Sequence, residues 1–299
     1  MKYYLLLLLF FSQVSLADCE QASDSCAPIG EWEFSVSVGA GVTTNPLNGG
    51  DNIPLILVPE ISYYGERVFF ENSTLGYSFY ENNSLVFSAI TKLNPDNAYF
   101  SRWHPQNIFL NSSTSNSQSP SVGDDSGDEL ETGNELIPND ERVEVSIEDV
   151  GRKRWAVDAG VQVNWFLNDS TDLKIQLLHD INHVYNGFNG QLELSKFMMF
   201  TQLPDTVFFM SVGANINSEA LVDYFYGVPA EEGKSKDTAY QGKLSVNPYV
   251  RFEVTHQLSK HWRAKLNIKR IALGEGITDS PLVKDDYIDT IFAGVTYDF

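Results

Sequence analysis

The chain has no long apolar segment. Its longest apolar run, Tyr3 to Phe11, lies near the N-terminus and is far shorter than the ~20 residues that a membrane-spanning helix needs. Farther along the chain, no stretch offers about 18 uncharged apolar residues in succession. The sequence therefore excludes a protein that crosses a membrane with helices.

Positive charge is also scarce. The 299 residues include 20 Lys and Arg against 40 Asp and Glu, which gives a formal net charge of -20. A protein that binds nucleic acid presents a basic face to the phosphates. The composition therefore predicts no nucleic-acid partner.

Cysteine is nearly absent, and patterns typical of catalysis are missing. In an exported chain, Cys19 and Cys26 are predicted to form a small disulfide loop rather than a metal site. No Gly-x-Ser-x-Gly elbow occurs, and no Ser and His pair has a suggestive spacing. His179 and His183 have the spacing of metal ligands on a helix but fall at a strand end, which disfavours metal binding. We therefore predict no catalytic residue, no metal and no cofactor.

The N-terminus has the form of a secretory signal peptide. A positive start at Lys2, an apolar core and the small-x-small end Ser15-Leu16-Ala17 predict cleavage after Ala17. Cys19 superficially fits a lipoprotein box, but Asp18 stands where a small residue is required, which disfavours lipidation. The prediction is a signal peptide over 1–17 and a periplasmic tail over 18–30.

Most of the remaining chain alternates apolar and polar residues with period two, which is the pattern of β-strands. The final stretch is the clearest case, because Ile291, Ala293, Val295, Tyr297 and Phe299 share one face. A soluble barrel would place such a face inside, whereas a membrane barrel places it outside. Export, a last strand that closes on Tyr297 and Phe299 as an assembly signal, and connections of alternating length favour a membrane barrel.

The predicted fold class is all-β, a transmembrane antiparallel β-barrel over 31–299. Because bacterial barrels have even strand numbers and long external loops, we divide 66–80 into two strands at Asn72 and Ser73. This division gives twelve strands, with ten as the alternative. The predicted strands are 32–43, 54–64, 66–72, 74–80, 84–94, 153–166, 171–181, 188–199, 205–216, 243–257, 261–272 and 288–299.

One connection, 95–152, is long and acidic. Its central part includes Asp124, Asp125, Asp128, Glu129 and Glu131 and has almost no aromatic residues. Such a composition predicts a disordered external loop. Clustered carboxylates leave a Ca²⁺ site open, but the spacing does not match the twelve-residue calcium loop.

The best candidates for function inside the barrel are charged. Inward positions of two neighbouring strands carry a predicted charged stripe that consists of Arg251, Glu253, Arg263, Lys265 and Lys269. The stripe is expected either to fill the lumen as an ion-pair network, the preferred interpretation, or to line a path for solutes. Aromatic residues near strand ends, such as Trp32, Trp165 and Trp262, are expected to form interfacial girdles.

Three segments resemble the MipA/OmpV family of MltA-interacting proteins. The first runs from Ile53-Pro54-Leu55-Ile56 to Tyr63-Tyr64-Gly65-Glu66-Arg67-Val68-Phe69-Phe70 and resembles the family's second strand, turn and third strand. The second, Asp223-Tyr224-Phe225-Tyr226-Gly227-Val228, is similar to the family's Tyr-x-x-Gly-Val element. The third, Leu273-Gly274 with Asp279-Ser280-Pro281-Leu282-Val283, resembles the Asp-Ser-Pro-(Leu/Ile)-Val loop before the family's last strand. The motif residues carried over are Tyr224, Gly227, Val228, Asp279, Ser280 and Pro281.

The resemblance covers roughly 30–299, apart from the acidic insertion, and implies a non-enzymatic protein of the cell outer membrane. Some family members are proposed to scaffold murein synthesis by bridging a lytic transglycosylase and a synthase. Outer-membrane lipid and the barrel-assembly machinery are the other implied partners. A channel, or a barrel for adhesion or stress response, is the alternative function.

Overall fold

The computed structural model describes residues 29–101, 104–108, 145–230 and 239–299. The predicted signal peptide, the Cys19–Cys26 disulfide, most of the periplasmic tail and the centre of the acidic loop lie outside the described residues. In the described part of the chain, no helix is long and apolar enough to cross a bilayer.

Twelve antiparallel strands form one closed barrel in chain order, and β12 pairs with β1 to close it. The count of twelve is confirmed, including the division at residues 72 and 73. The strands are β1 Trp32–Thr43, β2 Ile53–Tyr64, β3 Val68–Glu71, β4 Thr74–Glu81, β5 Leu85–Leu93, β6 Val157–Asn168, β7 Thr171–Asp180, β8 Phe188–Phe200, β9 Leu203–Asn217, β10 Ser245–Ser259, β11 Trp262–Ala272 and β12 Tyr287–Asp298.

Short helices occupy some of the connections. Helix α1 spans Glu219–Tyr226 and helix α2 spans Glu275–Thr278, while 3-10 turns cover Pro95–Tyr99 and Pro105–Asn107. Ser218 caps α1, because its side chain accepts a hydrogen bond from the Leu221 N–H. These pieces all lie in the longer connections, so irregular structure gathers at one end of the barrel.

The two faces of the wall have opposite character. Outward side chains are apolar and exposed, as at Val38 and Leu177, which are 53% and 55% exposed. Inward side chains are polar and buried, as at Ser37 and Thr296, whose hydroxyls lie 2.7 Å apart. This is the arrangement of a membrane barrel rather than a soluble one.

The connections are short at one barrel end and longer at the other, except at residues 72 and 73. We call these the short-turn end and the long-loop end. Both β1 and β12 have their chain-terminal ends at the short-turn end, where Trp32 contacts Tyr63 at 5.0 Å and Trp262 contacts Tyr297 at 5.0 Å between ring centroids. In bacterial barrels short turns face the periplasm and longer loops face outward. The connection predicted between strands 188–199 and 205–216 is shorter than expected, because β8 runs to Phe200 and β9 begins at Leu203.

The wall has a notch beside β2. Strand β3 has four residues and pairs with β2 only from Ser62 to Tyr64. Asn72, with φ of 53°, then turns the chain and exchanges hydrogen bonds with the main chain of Ile61. Within the described ranges, residues 53–60 of β2 have no strand partner on this side. Pro59 suits such an edge, since it has no N–H to offer.

Candidate functional site

An ion-pair network, which we call the lower network, lies on one side of the lumen near the short-turn end. The Lys265 ammonium contacts the Glu60 carboxylate and lies 3.6 Å from Glu253, which also accepts a hydrogen bond from Asn267 at 2.9 Å. Close by, the Nε and Nη2 atoms of Arg263 each donate a hydrogen bond to the Asp298 carboxylate. Each cation here has at least one carboxylate partner, and the three carboxylates outnumber the two cations.

Farther toward the long-loop end lies a second group of cations, Lys92, Lys174, Arg251 and Lys269, which we call the upper cations. Lys174 forms a salt bridge of 2.7 Å with Glu193. Arg251 lies over the Phe209 ring at 4.5 Å, and Lys269 lies over the Tyr249 ring at 4.7 Å. Aromatic faces attract such cations when water is largely removed.

The predicted charged stripe is thus placed on the inner face but divided between two groups. Glu253, Arg263 and Lys265 belong to the lower network, whereas Arg251 and Lys269 belong to the upper cations. Sequence reasoning missed Glu60, Lys92, Lys174 and Glu193. The signal was present for Lys174 and Glu193, each a charged residue between apolar neighbours of an alternating strand, whereas Glu60 follows the unbroken apolar run 53–59.

A cavity of about 690 Å³ runs through the lumen. At one end it reaches Glu66 and Arg67 in the turn between β2 and β3, and the upper cations line its middle. Its other end is lined by residues of the long connections, Tyr99, Tyr226 and Ile277. The cavity therefore extends from the short-turn end to the underside of the loops.

The longer connections pack together into a hydrophobic cluster, which we call the cap. Its members come from every longer connection, and Leu221, Phe225, Tyr226 and Ile277 have no exposed surface. Burial of this kind contributes roughly 1.5–3 kcal/mol for each large apolar side chain. The full set is Leu47, Val145, Val150, Ala156, Val184, Tyr185, Leu221, Val222, Phe225, Tyr226, Val228, Ile277 and Leu282.

Polar contacts join the connections of the cap across the barrel mouth. The Tyr226 hydroxyl donates to Asp96 at 2.6 Å, and the Asn45 side chain donates to the Tyr99 carbonyl at 2.9 Å. These contacts link the β9–β10 and β1–β2 connections to the β5–β6 connection. Because the three connections are spaced four strands apart around the barrel, their meeting closes the long-loop end over the lumen.

Burial also shifts the acid–base behaviour of the cap. Loss of water raises the pKa of Asp96 from 3.8 to about 6, although the hydrogen bond from Tyr226 opposes the shift. Burial lowers the pKa of His104 to about 4, so this ring is neutral at ordinary pH. Asp96 is therefore a cap carboxylate that titrates in the physiological range.

The residues of the second and third motif segments lie in or beside the cap, whereas the first segment forms β2, the turn after it and the start of β3. The Ser280 hydroxyl donates to the Tyr226 carbonyl at 2.6 Å, and the Tyr224 hydroxyl accepts from the Arg154 N–H at 2.8 Å. The Gly227 N–H closes helix α1 onto Asp223, and Val228 forms a bridge with Tyr240. Asp279 and Pro281 complete the set, with the Pro281 carbonyl accepting from Asn48 at 2.9 Å. The second and third segments thus take part in the packing across the barrel mouth.

The remaining predicted positions lie away from the lumen. Tyr297 and Phe299 stack edge-to-face at 4.9 Å on the outside of the short-turn end. His179 packs against Phe188, and His183 contacts Asn186 at 2.9 Å, so the two histidines do not converge. Among the described residues, no group of three His, Cys, Asp or Glu side chains could hold a metal ion.

A closed antiparallel barrel with an apolar exterior and a charged interior is the architecture of an outer-membrane β-barrel, and this protein is one. The sequence profile of the family described as "MltA-interacting protein MipA" matches residues 36–299. The chain belongs to this family, as its three motifs predicted. The family is one of interacting proteins rather than an enzyme family.

Two relatives and one solved structure are similar to this chain. The MltA-interacting protein of Escherichia coli (strain K12) is 23% identical over 270 residues, which cover 90% of this chain and 91% of that protein. A protein of the same organism named "Putative outer membrane protein YiaT" is 23% identical over 271 residues, covering 89% and 91%. Among solved structures, an outer membrane channel from Pseudomonas putida F1 aligns with 94% of this chain and 100% of its own, at 11% identity and a TM-score of 0.42.

Proposed function

We propose that this protein is a non-enzymatic barrel that acts through contacts at its periplasmic, short-turn end, with a murein lytic transglycosylase as partner. The observation that carries this proposal is the cap. A buried core packed across the long-loop end, as the described residues have it, obstructs the passage of solutes. The remaining accessible features of the barrel are its outer rim and its short-turn end.

The identity of the partner comes from the relatives. The Escherichia coli protein is named for an interaction with MltA, and at 23% identity that name describes the relative rather than this chain. The match over nine-tenths of both chains supports extending the interaction to this family member. A murein synthase is a second proposed partner, since a scaffold between hydrolase and synthase would hold both.

The polar groups of the lumen support a non-enzymatic role. Acyl transfer or hydrolysis needs a nucleophile, a base and an oxyanion site held together. In the part of the chain that the structure describes, the acidic side chains of the lower network instead hold Lys265 and Arg263 in place. These contacts stabilise the wall and leave no carboxylate of this network directed at a substrate.

Copurification from crosslinked cell envelopes tests the proposal. The wild-type protein is expected to recover a lytic transglycosylase. Reversing charges at the short-turn end, with Glu66→Lys, Arg67→Glu and Lys260→Glu, is expected to reduce recovery several-fold. A matched triple variant at the long-loop end, Lys243→Glu, Lys284→Glu and Asp285→Lys, should recover as much as wild type. Equal loss in both variants, or no transglycosylase with wild type, contradicts the proposal.

A channel is the second candidate function, and the cavity favours it. The lumen is polar and continuous from the short-turn end to the cap, so displacement of the cap would create a pore. Steady conductance of the purified wild-type protein in planar bilayers would favour the channel over the scaffold.

A further inference from the structure

The upper cations concentrate positive charge in one part of an acidic protein. They come from four strands, β5, β7, β10 and β11, and all four line the same cavity. Lys269 lies within electrostatic range of Lys92, Lys174 and Arg251. Like charges brought together in a walled space repel one another, so this arrangement costs free energy unless anions compensate it.

Two of the carboxylates nearby, Glu193 and Asp172, act mainly on Lys174 and Arg251. Glu193 binds Lys174 and accepts a hydrogen bond from the Tyr249 hydroxyl at 2.8 Å. Asp172 lies within electrostatic range of Lys174 and Arg251.

The third inward carboxylate, Asp158, is held by neutral donors. It accepts from Tyr185 at 2.6 Å and from Asn94 and Asn189 at 2.7 Å each. Its two oxygens are therefore occupied by a hydroxyl and two amides rather than by an ammonium group.

Lys92 and Lys269 are left with neutral partners. The Lys92 ammonium donates to the Gln176 side chain at 2.8 Å, and Lys269 lies against the Tyr249 ring. Within the described ranges, neither lysine has a carboxylate at ion-pair distance. Four cations face three carboxylates here, Glu193, Asp172 and Asp158, and none of the three forms a direct ion pair with Lys92 or Lys269. A partly desolvated ammonium group without a direct carboxylate partner is costly, and a bound anion offsets that cost.

We propose that the upper lumen binds a small anion, a carboxylate- or phosphate-bearing molecule, held by Lys92 and Lys269. The cavity of about 690 Å³ falls within the ~300–1,000 Å³ of small-molecule sites. Because the cap closes the other end, the anion arrives from the short-turn end. The mouth there carries both charges, because Arg67 lies next to Glu66 in the turn. The upper cations, rather than the mouth, therefore select for an anion.

Neutral donors beside the lysines suit the same ligand. Asn189, Gln191 and Asn215 line the cavity with amide groups. An anion with additional hydroxyl or carbonyl groups would bond to these amides as well as to the lysines. This ligand site goes beyond the proposed function, since it requires no protein partner.

Calorimetric titration of the purified full-length barrel with sodium citrate and, separately, with sodium pyrophosphate tests the proposal. At least one of the two anions is expected to bind. Binding of citrate alone would identify a carboxylate site, and binding of pyrophosphate alone would identify a phosphate site. Binding of both would identify a site that recognises negative charge in either chemical group. The double variant Lys92→Gln/Lys269→Gln should weaken binding by about tenfold or more.

Two controls keep the test decisive. Lys243→Gln/Lys284→Gln, which changes exposed lysines of the long connections, should bind like wild type. Lys92→Arg/Lys269→Arg keeps both charges and should retain most of the affinity, which separates charge from mere occupancy of space. Circular dichroism verifies that each variant folds. The proposal is overturned if neither anion binds wild type at about 1 mM, or if the folded Gln variant binds as tightly as wild type.

Discussion

Asp96 shows how a single residue can couple the cap to pH. Burial between the packed connections, away from water, raises the pKa of Asp96 to about 6, and the charge of the nearby Asp158 raises it as well. A carboxyl whose pKa is higher in the folded protein than in the unfolded chain favours folding in its protonated form. Its stabilising contribution is therefore complete below about pH 4 and is lost as the pH rises through about 6.

We expect the cap to loosen between pH 5 and pH 7 by about 1–3 kcal/mol. Hydrogen exchange at the amides of Tyr226 and Gly227, corrected for the intrinsic pH dependence of exchange, measures this change. The variant Asp96→Asn keeps an oxygen to accept from Tyr226 and should abolish the pH dependence. His104, with its pKa lowered to about 4, is neutral throughout this window. An unchanged slope in the Asn variant would assign the effect to another group.

At the scale of elements, the closing strand pair depends on close backbone approach. Gly39 of β1 faces Gly294 of β12 in the register that closes the barrel. A Cβ added at Gly39 would lie 2.2 Å from the Ala293 carbonyl oxygen. The clash is with main-chain atoms, so movement of a side chain cannot relieve it. Glycine is needed here because two main chains meet, rather than because the chain turns.

Gly39→Ala is therefore expected to impair closure of β1 on β12 and to reduce the amount of folded barrel several-fold. Gly190→Ala is the matched control on β8, since a Cβ there would have its nearest neighbour at 3.4 Å. The heat-dependent mobility of the two variants on gels compares their folded fractions. Similar yields for both would show that the β1–β12 approach tolerates a methyl group.

At the scale of the whole molecule, the cap decides whether the barrel conducts. Phe225 has no exposed surface and contacts Tyr185, Tyr224 and Phe100, which belong to three connections. Truncation of such a buried phenylalanine costs about 3–5 kcal/mol through lost contacts and a cavity. The wall strands do not depend on Phe225, so the cap should open before the barrel unfolds.

We expect Phe225→Ala to raise conductance in planar bilayers well above the low level of wild type. Phe79→Ala removes the same atoms from the outer wall, where Phe79 is 51% exposed, and should leave conductance unchanged. If Phe225→Ala stays as silent as wild type while its barrel is folded, the lower network rather than the cap blocks the lumen.

The sequence by itself determined the wall of this protein. Period-two alternation located most strands and divided their side chains into two faces. Because short and long connections alternate between the two barrel ends and the strand number is even, the segment 66–80 had to be divided at residues 72 and 73. These features are local, because side-chain direction along a strand repeats every two residues. For the same reason the sequence placed Lys265 and Arg251 on the inner face.

Only the tertiary structure decided how the inner charges pair and how the barrel is closed. Lys265 and its partner Glu60 are 205 residues apart in the chain, and no periodicity relates them. The cap joins Leu47 and Leu282, from irregular connections without a helical or strand period, to Phe225 of the short helix α1, and no local pattern shows that these three side chains meet. The family motifs pointed to these connections, but their packing across the mouth follows from the closure of the wall, which brings distant loops to one end.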